Sequence, residues 1–157
     1  MKVGLIGLGR MGEGMSRRMM KQGIEVYGYR RNYAKAQEAA KSGYITDAAD
    51  SLESLVQVVK SKKSIYGEKS GETVYVETPG IFQLVIPAEL VEDTLNELLP
   101  LLGDGDIIID HGNSNFKDSR RRAERLAKMG IQYLDCGTSG GVYGLERGYC
   151  LMVGGAS

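Results

Sequence analysis

Cysteine occurs twice and histidine once in a chain of 157 residues. Two cysteines, Cys136 and Cys150, are too few for a disulfide framework. They are expected as buried, reduced thiols near strand ends, as in a cytoplasmic protein, with a bridge between them as the alternative. The single histidine, His111, has no neighbours at metal-ligand spacing, so no metal site is expected. Net charge is also lacking: 20 basic residues balance 20 acidic ones. That excludes a nucleic-acid binder driven by a strong overall field, though not a local basic patch. No run approaches the ~18 apolar residues of a membrane span. The chain opens on a strand pattern rather than on a signal-peptide layout. The expectation is a cytoplasmic protein with neither nucleic acid nor membrane as partner.

Glycine, by contrast, is abundant. The 22 glycines are about twice the usual ~7%, and they cluster at 4–14, 103–112 and 137–155. Such clusters read as tight turns and close backbone approach rather than as a linker. The 42% hydrophobic and 25% charged composition is that of an average soluble domain. A chain of this length buries roughly 70% of its unfolded surface and needs no staples.

Along the chain, short apolar runs alternate with helical patterns. Strands are expected at 3–6, 24–29, 44–46, 81–86, 107–109, 131–134 and 150–153. Helices are expected at 10–21, 34–41, 52–60 (with Ser51 as cap), 91–102 and 118–129. Met11, Met15 and Met19 recur every four residues and read as core packing. Residues 61–80 read as an exposed excursion, with 73–76 as an edge strand or half of a hairpin. Arg120, Arg121, Arg122 and Arg125 make a basic stripe, read as a solvated face. Alternating strands and helices predict an α/β, Rossmann-like doubly wound fold. Its sheet should be mostly parallel, with helices on both faces. No internal repeat and no clear domain boundary interrupt it, so residues 1–157 are expected to form one domain.

Gly7-Leu8-Gly9-Arg10-Met11-Gly12 fits G-x-G-x-x-G between an expected strand and an expected helix, the context that gives the motif meaning. Gly7 permits the tight turn, Gly9 lets backbone approach a pyrophosphate, and Gly12 lets helix and strand pack closely. The helix N-terminus offers N–H groups to the anion. The alternative is a glycine-rich turn with no ligand. NAD-binding domains usually place an acid ~20 residues on, at the end of the second strand. Here that position reads Tyr29-Arg30-Arg31-Asn32. Two guanidinium groups suit the 2′-phosphate of NADP, so NADP is expected over NAD. Two solvated arginines are the alternative.

Three further segments carry a family likeness. Residues 107–114 (Ile-Ile-Ile-Asp-His-Gly-Asn-Ser) resemble I-I-D-G-G-N-S of the 6-phosphogluconate dehydrogenases. Residues 134–142 (Leu-Asp-Cys-Gly-Thr-Ser-Gly-Gly-Val) resemble their L-D-V-G-T-S-G-G-V, and residues 148–155 resemble the glycine-flanked strand that follows. The likeness spans nearly the whole chain except 61–80. It implies an NADP-dependent oxidoreductase of the pentose phosphate pathway and gluconate utilization. The reaction is oxidative decarboxylation of 6-phosphogluconate to ribulose 5-phosphate. The likeness implies that Asn113 lies beside the nicotinamide and the substrate, and that Ser139, Gly140 and Gly141 bind the sugar acid. It also implies that Pro87 and Ala88 touch the cofactor. The chemistry is apt: a short amide donates and accepts at once, and glycine-rich backbone exposes N–H groups. Read from the residues alone, Asn113 and Ser114 are equally a helix cap or turn, and Ser139 to Gly141 a connector.

His111 stands where the family has glycine, either titrating near the substrate or tolerated on a loop. The family's general base, a lysine, and its acid, a glutamate, come from a helical catalytic domain. That domain also supplies the dimer contacts, and it is expected to be missing here. No catalytic residue is therefore expected within 1–157, and a homo-oligomer only together with that domain. Two other readings remain: the cofactor half of a β-hydroxyacid dehydrogenase, and a stand-alone NADP-binding regulatory module. Gly137-Thr138 and Asn113 favour the decarboxylating enzyme.

Overall fold

In a computed structural model of the chain, which describes residues 1–60, 62–66 and 73–155, nine strands and six α-helices are formed. The strands are β1 (Lys2–Ile6), β2 (Glu25–Tyr29), β3 (Asp47–Ala49), β4 (Lys62–Tyr66), β5 (Thr73–Glu77), β6 (Ile81–Leu84), β7 (Ile107–Asp110), β8 (Gln132–Ser139) and β9 (Cys150–Gly155). The helices are α1 (Arg10–Lys21), α2 (Tyr33–Lys41), α3 (Leu52–Val59), α4 (Ala88–Leu98), α5 (Phe116–Ala127) and α6 (Gly144–Arg147).

Seven strands form one sheet in the order β3-β2-β1-β6-β7-β8-β9. All neighbours run parallel except β8 and β9. The chain winds outward from β1 to β3, returns to β6 beside β1, and winds out the other way. A topological switch point therefore lies between β1 and β6, where doubly wound sheets bind their ligands. The expected fold class is found.

Helices cover both faces. On one, Leu5, Leu8 and Val26 pack with Ala36, Ala39 and Ile45, beside Met19 and Met20 of α1. On the other, Phe82, Leu84 and Ile108 pack with Leu55 of α3, with Val91, Leu95 and Leu98 of α4, and with Leu126 of α5. Phe82 is wholly buried, and truncating such a ring costs about 3–5 kcal/mol.

Local chemistry sets the helix starts. Asn32 caps α2 by accepting from the Lys35 N–H at 3.3 Å. Ser51 and Ser54 form a reciprocal capping box on α3, confirming the expected cap. Asn115, rather than Asn113 or Ser114, caps α5 through the Lys117 N–H at 3.0 Å.

Some expectations need correction. The third strand lies at Asp47–Ala49, not at 44–46. Ile45 is sealed in the core, and the Thr46 hydroxyl accepts the Val26 N–H at 2.9 Å, so these residues lock the approach to the strand. The expected hairpin within 61–80 is present, with β4 antiparallel to β5. The connection at 67–72 and the expected exposure of residues 61–76 lie outside the described residues. Both cysteines are free thiols, and Cys136 is buried, but Cys150 is exposed. In the β8–β9 ladder Cys136 stands opposite Val153, and Cys150 opposite Ser139. Among the described residues no helix is long and apolar enough to cross a membrane, and no cluster of metal-ligand side chains occurs.

Candidate dinucleotide-binding site

The switch point forms a crevice of about 370 Å³, whose walls include Gly7, Leu8, Gly9, Arg30, Arg31 and Pro87. Six of the residues expected at the cofactor thus meet in one place. Arg10, Met11 and Gly12 continue from it as the first turn of α1. Asn32 caps α2 beyond the arginines, and Ala88 opens α4 after Pro87.

The three glycines of the loop have separate reasons. Gly7 has φ +104, and a Cβ there would run into the Val85 carbonyl oxygen across the switch point. A Cβ on Gly12 would run into the Gly7 carbonyl, so helix and strand touch there. Gly9 has φ −85 and nothing within 4 Å of where its Cβ would stand. Neither backbone nor packing demands glycine at Gly9. The space in front of it, at the N-terminus of a helix that no side chain caps, is what a phosphate needs: room, N–H donors and partial positive charge. The residues present therefore fit a dinucleotide pyrophosphate.

The two arginines differ. Arg30 is half-buried and donates from Nη1 to the Leu8 carbonyl at 3.0 Å, bracing the loop. Arg31 is exposed at the end of β2.

A second cluster lies along the same edge of the sheet, at the ends of β7 and β8. Asn113 is exposed, with φ +53, the one positive value among the described non-glycine residues. Its Oδ1 accepts from the Thr138 backbone N–H at 3.1 Å. Ser139 follows directly at the end of β8, and Gly140 (φ +141) and Gly141 (φ +48) carry the chain out of the strand. Tyr149 packs against Gly140, Gly144 and Gly14, and Arg18 donates to the Leu145 carbonyl at 3.0 Å. The Ser-Gly-Gly loop is thereby laid against α1. The clusters adjoin, since a Cβ on Gly112 would stand 3.1 Å from the Ile86 carbonyl, next to Pro87.

A sequence profile described as the NAD binding domain of 6-phosphogluconate dehydrogenase matches residues 2–157. The chain belongs to this family. It is 38% identical over 156 residues to the NAD(+)-dependent, decarboxylating 6-phosphogluconate dehydrogenase of Haloferax volcanii, covering 99% of this chain and 45% of that protein. It is 36% identical over 157 residues to the decarboxylating 6-phosphogluconate dehydrogenase of Drosophila melanogaster, covering 98% of this chain and 29% of that one. The chain thus spans less than half the length of these relatives. Among solved structures, Plasmodium falciparum 6-phosphogluconate dehydrogenase, studied with NADP+ and with 6-phosphogluconate, superposes with a TM-score of 0.80. It is 27% identical, over 99% of this chain and 31% of that one. The 3-hydroxyisobutyrate dehydrogenase of Salmonella typhimurium shares the fold, with a TM-score of 0.72 at 20% identity.

In this family member the turn that carries Asn113 is fixed by a residue the motif reading passes over. Asp110 is fully buried. Its carboxylate accepts from the Gly112 N–H at 2.8 Å, the Ser114 hydroxyl at 2.9 Å, the Tyr133 hydroxyl at 2.6 Å and Arg122 Nη1 at 3.4 Å. Arg122 also donates to Glu92 at 3.0 Å and is only 5% exposed. The reading of the basic stripe as solvated is therefore wrong at Arg122 alone; Arg120, Arg121 and Arg125 are exposed, and the last two pair with Glu92 at the surface. Burial pushes the Glu92 carboxyl up, but hydrogen bonds from Arg122 and Arg121 outweigh this and hold it below the ordinary carboxylate range. Burial, and the hydrogen bond to Asp110, push the Tyr133 hydroxyl well above its usual value. Burial also raises the Cys136 thiol, which argues against a reactive cysteine. His111 is not on an open loop: it is buried, with its backbone N–H donating to the Leu84 carbonyl at 2.9 Å.

Proposed function

We propose that the chain is the cofactor-holding part of an NADP-linked 6-phosphogluconate dehydrogenase acting by oxidative decarboxylation. The observation that carries this is the crevice at the switch point. Gly9 there leaves room that neither conformation nor packing explains, and the end of β2 presents Arg30 and Arg31 instead of an acid.

The N–H groups opening α1, at Arg10, Met11 and Gly12, hold the pyrophosphate. Arg30 keeps the loop in shape, and Arg31 pairs with the 2′-phosphate in a charge-assisted contact. Pro87 and Ala88 line the way toward Asn113. A bound nicotinamide would supply the hydride acceptor for the sugar acid. Asn113, with its oxygen engaged by Thr138, offers its NH₂ group to an oxygen of the ligand. Ser139, Gly140 and Gly141 bind the sugar-acid end through a hydroxyl and backbone N–H groups.

The proposed organisation is one cofactor domain at 1–157, completed by a helical catalytic domain that also makes the homo-oligomer, in the cytoplasm. In support, Leu151, Met152 and Val153 on the edge strand β9 are 49–64% exposed, apolar surface of the kind that a partner domain covers.

Titration of the purified chain with NADP and with NAD tests the reading. NADP is expected to bind the more tightly. Arg31→Ala should remove about tenfold of NADP affinity, one charge-assisted hydrogen bond, while leaving NAD nearly unchanged. Equal binding of both cofactors by the unaltered chain would sink the assignment of NADP.

A further inference from the structure

A chain of hydrogen bonds runs from the interior to Asn113, and it starts at His111. The imidazole is 6% exposed, and its Nδ1 lies 2.8 Å from Thr138 Oγ1. The Thr138 hydroxyl also lies 3.0 Å from the Cys136 carbonyl, to which it donates. A hydroxyl has one proton, and a carbonyl only accepts. With that proton directed to Cys136, the hydroxyl meets His111 as an acceptor, so Nδ1 carries the hydrogen. In the neutral ring Nε2 is then a bare lone pair. Nε2 is indeed buried and without a partner among the described residues. An N–H at that position would be a buried donor with no acceptor, a costly arrangement. Burial also holds the ring below its ordinary pKa, which keeps it neutral.

Thr138 is in turn what holds Asn113. Its backbone N–H donates to Asn113 Oδ1, and because an N–H needs an acceptor, this contact settles which end of the amide faces inward. Asn113 sits at φ +53, a left-handed conformation that asparagine adopts more readily than most L-residues.

We propose that His111, as its Nδ1–H tautomer, is a positioning residue. It pins the Thr138 side chain, so fixes the backbone donor that orients Asn113, and thereby aims the Asn113 NH₂ group at an acceptor oxygen of the bound ligand. The last step rests on the reading of Asn113 as a ligand contact. The relay itself belongs to this chain with or without a ligand.

His111 is the chain's one histidine, so isotope-labelled histidine gives the nitrogen spectrum of a single ring. In the cofactor-free 157-residue chain, Nδ1 should show the signature of a protonated nitrogen and Nε2 that of a bare one, the reverse of the form favoured in water. An Nε2–H signature, or averaging between the two forms, overturns the proposal. The Asn113 amide signals, identified by their loss in Asn113→Asp, supply a second readout. His111→Asn places an N–H near the position of Nδ1 and should keep them sharp and separate. His111→Leu should broaden or average them; unchanged Asn113 signals in a folded His111→Leu chain overturn the relay. NADP affinity is expected to fall roughly threefold to tenfold in His111→Leu, the loss of about one hydrogen bond, and to return in His111→Asn. A chain with the expected tautomer and Asn113 signals that binds no NADP at all would refute the cofactor reading and leave the relay established.

Discussion

The Tyr133 hydroxyl on β8 donates to the Asp110 carboxylate on β7 at 2.6 Å, with both residues buried. Asp110 gathers four donors, and the turn to Asn113 hangs on them. Removing the carboxylate leaves the Arg122 guanidinium and the Gly112 N–H without it. Asp110→Ala should therefore cost about 3–5 kcal/mol, the range for breaking a buried ion pair. Tyr133→Phe takes away one donor of four and should cost only about 1–2 kcal/mol. Urea unfolding of the two variants checks the order. Equal losses would mean that the carboxylate is not the hub.

Gly9 and Gly12 are two residues of one motif with opposite expected phenotypes. Gly12→Ala puts a methyl into the Gly7 carbonyl, so it should destabilise the fold by roughly 1–3 kcal/mol. Gly9→Ala meets nothing and should cost no more than about 1 kcal/mol of helix capping. It should nevertheless weaken NADP binding by about tenfold, because the methyl occupies the space for the pyrophosphate. Melting curves and cofactor titrations on the same two samples separate the effects. Full NADP affinity in Gly9→Ala would show that the space has another use.

These contrasts mark what could be read from the residues. Alternation of apolar runs with helical periods dictates the doubly wound sheet, and glycines with special backbone needs mark the β1–α1 turn. The third strand is misplaced because Tyr44-Ile45-Thr46 has strand-like composition, whereas Ile45 fills the core and Thr46 bonds to β2. The Asp110 hub is not legible in the segment because two of its four donors, Arg122 and Tyr133, come from other elements, α5 and β8. One signal was present: Ser119, Arg122 and Leu126 share a helical face at i, i+3 and i+7, and all three are buried. An arginine on that face needs an acid beneath it. Such pairing follows from the fold and becomes visible only once β7 and α5 are side by side.

Stability should fall on mild acidification, and His111 should be the cause. Burial lowers its folded-state pKa, with the Asp110 charge offsetting part of the effect. The unfolded chain takes up a proton on this ring near pH ~6.5, where the folded chain does not. The unfolded state then binds more protons, so stability is full above that pH. It declines as pH falls below it, until the folded ring is protonated too. The lowered Glu92 carboxyl acts only further down, in the carboxylate range. Urea midpoints at pH ~7.5 and ~5.5 should differ in the unaltered chain and nearly coincide in His111→Asn. A persistent difference in that variant would assign the loss to carboxylates.

Cofactor binding and turnover should separate in this chain. In the proposed reading its residues hold a dinucleotide and bind the sugar-acid end through Asn113, Ser139, Gly140 and Gly141, but none of them takes a proton. The resemblance assigns the proton transfers to a lysine and a glutamate of a helical domain, and the chain matches 29% and 45% of the length of two relatives. Without a base at the substrate hydroxyl, hydride transfer to a bound nicotinamide would lose the roughly 10²–10⁴-fold that such a base contributes. Mixed with NADP and 6-phosphogluconate, the 157-residue chain should therefore show saturable NADP binding by calorimetry and no rise in NADPH absorbance. Adding a separately expressed helical domain from a relative should restore turnover only if the two parts dock. A robust rate from the chain alone would mean that a group among its own residues takes the proton, and His111, beside Thr138, would then be the first residue to replace.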